Sequence, residues 1–164
     1  MTRVLYPGSF DPVHNGHVEI VEAASRLFGE VIVAAMRNPQ KGEPLFSFDE
    51  REEMLLETFA HLENVRTTMF STLVVDLAKR EGCDFIVKGL RAVSDFESEL
   101  QMAQMNKAVS GIETVFIPSA STHSFVASKL IREIARFGGD VDSMVPRPVS
   151  KRLAEKFGQP GGEL

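Results

Sequence analysis

Cysteine is nearly missing from this chain of 164 residues: Cys83 is the single one. One thiol excludes an internal disulfide framework and fits a reducing compartment. Its place just before an apolar run predicts a buried structural thiol, not a nucleophile. No apolar run is long enough to span a bilayer, and the N-terminus lacks the basic-then-apolar pattern of a secretory signal. Both absences predict a cytoplasmic protein without membrane contact. A basic excess is also lacking. The net charge is −5, which speaks against a general nucleic-acid binder, although a few well-placed Lys and Arg can still hold a small anion. Two phosphate-binding loops are absent as well. Without Gly-x-x-x-x-Gly-Lys-[Ser/Thr] a P-loop NTPase is not expected, and without Gly-x-Gly-x-x-Gly after the first strand neither is a dinucleotide dehydrogenase.

What is present alternates regularly. Short apolar runs at Arg3–Tyr6, Glu30–Met36, Asn64–Phe70, Asp84–Lys88 and Glu113–Ile117 predict five strands. Between and after them, helical spacing covers Gly16–Phe28, Ser47–Phe59, Thr72–Glu81, Ser94–Val109, Ala127–Phe137 and Pro148–Phe157. Ser47–Glu50 and Ser94–Glu97 read as capping boxes, and Gly82 stands where a helix should stop. Such alternation predicts an α/β fold with right-handed crossovers and a parallel sheet. One domain spans residues 1–157, and the Gly/Pro-rich tail 158–164 is expected to be disordered. A compact domain of this length buries roughly two thirds of its unfolded surface and needs no metal or disulfide staple.

Open α/β sheets bind ligands beyond the carboxyl ends of their strands, and the chemistry-bearing residues gather there. After the first strand runs Tyr6-Pro-Gly-Ser-Phe-Asp-Pro-Val-His-Asn-Gly-His17. Gly8 and Gly16 suit a close backbone approach to a ligand, and a helix beginning at Gly16 offers free N–H groups to an anion. His14 and His17 lie three apart. They fit helix-start residues bonded to backbone as well as ligand donors, whereas no third ligand marks a metal site. Lys41 follows the second strand; Lys88 closes the fourth, with Arg91 three residues on. Ser119, Ser121, Thr122, His123, Ser124, Ser128, Lys129 and Arg132 follow the fifth. Donors and cations at one rim are what a polyphosphate requires.

The first segment resembles the signature of the nucleotidyltransferase superfamily with a (His/Thr)-x-Gly-His motif. A second segment, Lys88-Gly-Leu-Arg-Ala-Val-Ser-Asp-Phe-Glu-Ser-Glu-Leu-Gln-Met-Ala-Gln-Met-Asn106, is similar to a block found in bacterial phosphopantetheine adenylyltransferases. The likeness runs from about residue 3 to residue 157. It implies a Rossmann-like, doubly wound five-stranded sheet with a C-terminal helical segment. It further implies adenylyl transfer from ATP to 4′-phosphopantetheine, giving dephospho-coenzyme A and pyrophosphate, with Mg²⁺ as cofactor. A cytoplasmic homohexamer and feedback by coenzyme A complete the picture.

By position, the resemblance makes His17, Lys41 and Arg91 catalytic. It places Ser9, Phe10, His17, Lys88, Gly89, Arg91, Glu99, Ser128 and Lys129 on ATP, and Ser9, Lys41, Leu73, Val74, Lys88 and Asn106 on phosphopantetheine. Two positions depart from the pattern. Ser98 stands where Tyr is common, and Val126-Ala-Ser-Lys129 replaces a hydroxyl-rich run, leaving open whether Lys129 meets phosphates or points away. The rivals are a sister enzyme acting on nicotinamide mononucleotide, which the second segment disfavours, and a non-catalytic nucleotide or coenzyme A sensor, against which the intact His17, Lys41 and Arg91 speak.

Overall fold

A computed structural model describes residues 1–37, 42–91, 93–120 and 122–158, the side chains of 93–95 excepted. Five strands appear: β1 (Arg3–Gly8), β2 (Glu30–Met36), β3 (Val65–Phe70), β4 (Phe85–Leu90) and β5 (Glu113–Pro118). Six helices join and follow them: α1 (Asn15–Leu27), α2 (Phe48–Phe59), α3 (Val74–Arg80), α4 (Val93–Ser110), α5 (Ser128–Arg136) and α6 (Arg147–Phe157). All strand pairs are parallel, in the order β3-β2-β1-β4-β5. This is the doubly wound architecture that the alternation and the resemblance implied.

The middle of each central strand is apolar (residues 4–6, residues 31–35, and Ile86 with Val87) because both faces are covered. In β1, Val4 and Tyr6 join a core with Ile20, Val21 and Ala24 of α1, Met54 and Leu55 of α2, Ile131 of α5 and Val149 of α6. Leu5 points the other way, with Ile32 and Ile86, toward Val75, Leu77 and Ala78 of α3. Cys83 lies in that second core; burial pushes its thiol pKa up to about 11, as a structural thiol requires.

Two local expectations fail. Helix α3 starts at Val74, two residues later than its spacing suggested, because Leu73 is extended (ψ 140°). Helix α4 starts at Val93, so Ser94 lies within the helix and not at the position before it. β4 runs on to Leu90, and only two residues remain before α4 begins. The expected tail falls, past Gly158, outside the described residues.

The sheet opens where the winding reverses. β1 pairs with β2 up to Gly8↔Ala35 but with β4 only at Val4↔Phe85 and Leu5↔Ile86. Pro7 brings no N–H to the β4 ladder, so the carboxyl ends of β1 and β4 splay apart.

Candidate active site

A cleft of about 1120 Å³ occupies that opening. Its walls include Ser9, Phe10, His14, His17, Lys88, Gly89, Arg91, Glu99, Ser128 and Lys129. Nine of the positions expected from the sequence therefore meet with His14 in one place, although they come from four separate segments. Lys41 lies outside the described residues. Leu73, Val74 and Asn106 are not in the cleft wall: Leu73 precedes α3 and is largely exposed, Val74 begins α3, and Asn106 sits on α4.

The two histidines build the start of α1. His14 is the N-cap; its Nδ1 accepts from the backbone N–H of Gly16 (3.0 Å) and of His17 (3.4 Å). Nδ1 of His17 accepts in return from the His14 N–H at 3.1 Å. The rings stack with centroids 3.6 Å apart. A ring nitrogen that accepts a hydrogen bond carries no proton, so both imidazoles are neutral and each keeps its proton on Nε2. Electrostatics agrees. Burial, then Arg91 and His123, pushes the His14 pKa down to about 3. Burial, His14, Arg91 and Lys88 hold His17 well below the ordinary value. Both expected roles of the pair are thus compatible: Nδ1 serves the backbone, and Nε2–H remains a donor.

Gly8 and Gly16 make room for protein rings. A Cβ on Gly16 would stand 2.8 Å from Cε1 of His14, and one on Gly8 would stand 3.0 Å from Cζ of Phe10. The close approach anticipated for a ligand is used internally. Phe10 itself adopts a left-handed φ of 49° and sets its ring edge-on to His17 at 4.8 Å, so the strained residue supports the histidine.

The other walls carry charge. Lys88 and Glu99 face each other at 3.7 Å. Arg91 donates to the Val126 carbonyl at 2.8 Å, and the Ser128 hydroxyl donates to Pro12 O at 2.8 Å. Arg132 donates to Asp11 O at 2.7 Å. The Asp11 carboxylate accepts the N–H groups of Leu45 and Phe46, each at 2.9 Å. Glu19 of α1 holds His123 through Nδ1 at 2.9 Å and so ties the β5–α5 loop to the histidine helix. Sequence reasoning missed Arg51, which lines the cleft from α2 while only 3% exposed. A signal was available. Arg51 stands in register with Met54, Leu55, Thr58 and Phe59, the buried stripe of α2, and a charge on an apolar stripe asks for a reason.

Among the described residues, no group of three His, Cys, Asp or Glu is placed to hold a metal ion. The cleft therefore offers the Nε2–H donors of two neutral histidines and several cations, which suit phosphate groups. The free N–H groups expected at the start of α1 are used internally: those of Gly16 and His17 go to His14 Nδ1, that of Asn15 to Met144 O and that of Val18 to His14 O.

Comparison with known proteins agrees with this chemistry. The cytidylyltransferase-like family profile matches residues 5–134. Phosphopantetheine adenylyltransferase of Heliobacterium modesticaldum is 50% identical over 159 residues, covering 96% of this chain and 94% of its own. The enzyme of that name from Synechococcus sp. strain JA-3-3Ab is 51% identical over 154 residues, with 93% and 96% covered. In fold, the chain matches a protein of Vibrio parahaemolyticus provisionally described as a nicotinate-nucleotide adenylyltransferase. That match has a TM-score of 0.66 at 14% identity and covers 93% of this chain and 99% of that one. The chain belongs to the cytidylyltransferase-like nucleotidyltransferases and, within them, to the phosphopantetheine adenylyltransferase family.

Proposed function

We propose that the protein transfers the adenylyl group of ATP to the phosphate of 4′-phosphopantetheine, in the penultimate step of coenzyme A synthesis. One phosphate oxygen of the acceptor attacks the α-phosphorus. The bond from that phosphorus to the bridging oxygen breaks, pyrophosphate leaves with the electron pair, and dephospho-coenzyme A forms. The observation that carries this reading is a cleft rich in N–H donors and cations whose histidines are both neutral. A phosphate monoester has a second pKa near 6, so the nucleophile is largely ionised already and needs no general base. The obstacle is the approach of one anion to another, which positioning and charge stabilisation overcome.

On this reading the Nε2–H of His17 donates to the ATP phosphates, supported by Arg91 and by Lys88. Lys41 contacts the reacting phosphate, and Lys129 adds a cation beside Ser128. ATP enters as its magnesium complex. Mg²⁺ takes hard oxygen ligands, retains waters and is held chiefly through phosphates. That suits a cleft in which Asp11 is engaged by two backbone N–H groups and Glu99 by Lys88. Coenzyme A shares the cleft as a feedback ligand. The chain works in the cytoplasm as a homohexamer, for which the exposed Met102, Met105 and Val109 of α4 supply apolar contact surface.

Pyrophosphate release from MgATP tests the reading directly. Release that requires 4′-phosphopantetheine, with nicotinamide mononucleotide inert, is the expected result. Binding of ATP or coenzyme A without release would overturn it in favour of a sensor.

A further inference from the structure

Arg51 is buried, yet among the described residues no carboxylate lies within ion-pair distance of it. The Asp11 oxygens nearby already accept two backbone N–H groups. Nη1 of Arg51 donates to Ser9 O at 2.8 Å and to Met36 O at 3.0 Å. Its Nε is buried without a hydrogen-bond partner, and the Phe48 ring lies 5.6 Å from the guanidinium carbon. The two carbonyls are not arbitrary. The β1–β2 ladder ends at Gly8↔Ala35, so Ser9 and Met36 would form its next step. The guanidinium stands in for that step and joins the two strand ends as they enter the cleft. A hydrophobic side chain would cover the α2 stripe without desolvating a charge. The charge is therefore useful where it is.

The strand order says which substrate it serves. The β4 side of the cleft carries Arg91 and Lys88, cations for the ATP phosphates, and Glu99 beside Lys88, a carboxylate suited to the hydroxyl or amino groups of a nucleoside. The β2 side carries Arg51 and Arg37, with the exposed Glu43 on the segment leading to α2 and Ser9 between the sides; its two arginines suit the acceptor's phosphate. Resting on the proposed adenylyl transfer, we propose that Arg51 is a positioning residue for the acceptor phosphate. It holds Ser9 and Met36 in register and places an unpaired positive charge behind them.

The test is the kinetics of Arg51→Met and Arg51→Lys with each substrate varied in turn. Arg51→Met should raise KM for phosphopantetheine about tenfold or more and lower kcat about tenfold to a hundredfold, while KM for ATP stays within about twofold. Arg51→Lys, which restores charge and donors without the planar fork, should fall between Met and wild type. A merely structural arginine would lower the melting temperature and the active fraction, leaving both KM values unchanged or shifting them alike, and that result would overturn the assignment. If Arg51→Met does not fold, Arg51→Lys decides alone: a KM change confined to phosphopantetheine supports the assignment, and an even or absent change sinks it. Wild-type protein without phosphopantetheine-dependent turnover would instead remove the functional reading and this assignment together.

Discussion

His14 and His17 exchange hydrogen bonds with each other's backbone, and that arrangement sets two behaviours. The first concerns rate. His17→Ala removes one positioned donor, so pyrophosphate release should fall about 10²–10³-fold. The lost contact at the helix start should cost only about 1 kcal/mol in thermal or urea unfolding. The second concerns pH. In the unfolded chain a histidine titrates near 6.5, whereas His14 in the fold is held down to about 3. Between these values the unfolded chain binds the proton and the folded protein does not, so stability falls as pH falls. Lowering the pH from 7 to 5 should cost about 2 kcal/mol through His14, with His17 adding in the same direction. Urea titrations at pH 7, 6 and 5 would check this. His14→Asn, which keeps an N-cap acceptor but does not titrate, should flatten the dependence, and an equal slope in that variant would refute the cause.

At the scale of elements, three helix starts compare instructively. Ser47 accepts from the Glu50 N–H at 3.1 Å, and Glu50 accepts from the Ser47 N–H at 2.8 Å, the box its sequence announces. Ser47→Ala should therefore lower stability by about 1 kcal/mol, read from the urea midpoint at constant slope. The same letters at Ser94–Glu97 do not start α4, because β4 extends to Leu90 and the helix begins at Val93. The box of α1 is built from histidines, and the Ser/Thr–Glu/Gln pattern does not reveal it. A capping motif is a local preference that its neighbours can override. Strand and helix existence was legible at every element, since it rests on periodicity within each segment. The starts of α3 and α4 were not: Leu73 stays extended before α3, and β4 runs two residues past its expected end before α4.

For the whole molecule, the expected assembly is the measurable consequence. Light scattering after size exclusion should return about 109 kDa, six times the chain mass of 18.1 kDa, and Met105→Asp or Val109→Asp should reduce it if α4 lies in the contact. A monomeric mass for the wild type would reject the hexamer. The sequence by itself determined the order of strands and helices, and with it the rule that ligand chemistry gathers at one rim of a parallel sheet. It also held the residues at that rim: Ser9, His17, Lys88, Arg91, Glu99, Ser128 and Lys129. Tertiary structure alone decided which rim residues meet. The order β3-β2-β1-β4-β5 brings Ser128 to Pro12 across 116 positions and Arg51 to Ser9 across 42. Periodicity, caps and turns record contacts a few residues long. The lowered histidine pKa values depend on burial and on Arg91, His123 and Lys88, and the placing of Arg51 depends on Ser9 and Met36, which come together only once the sheet has formed.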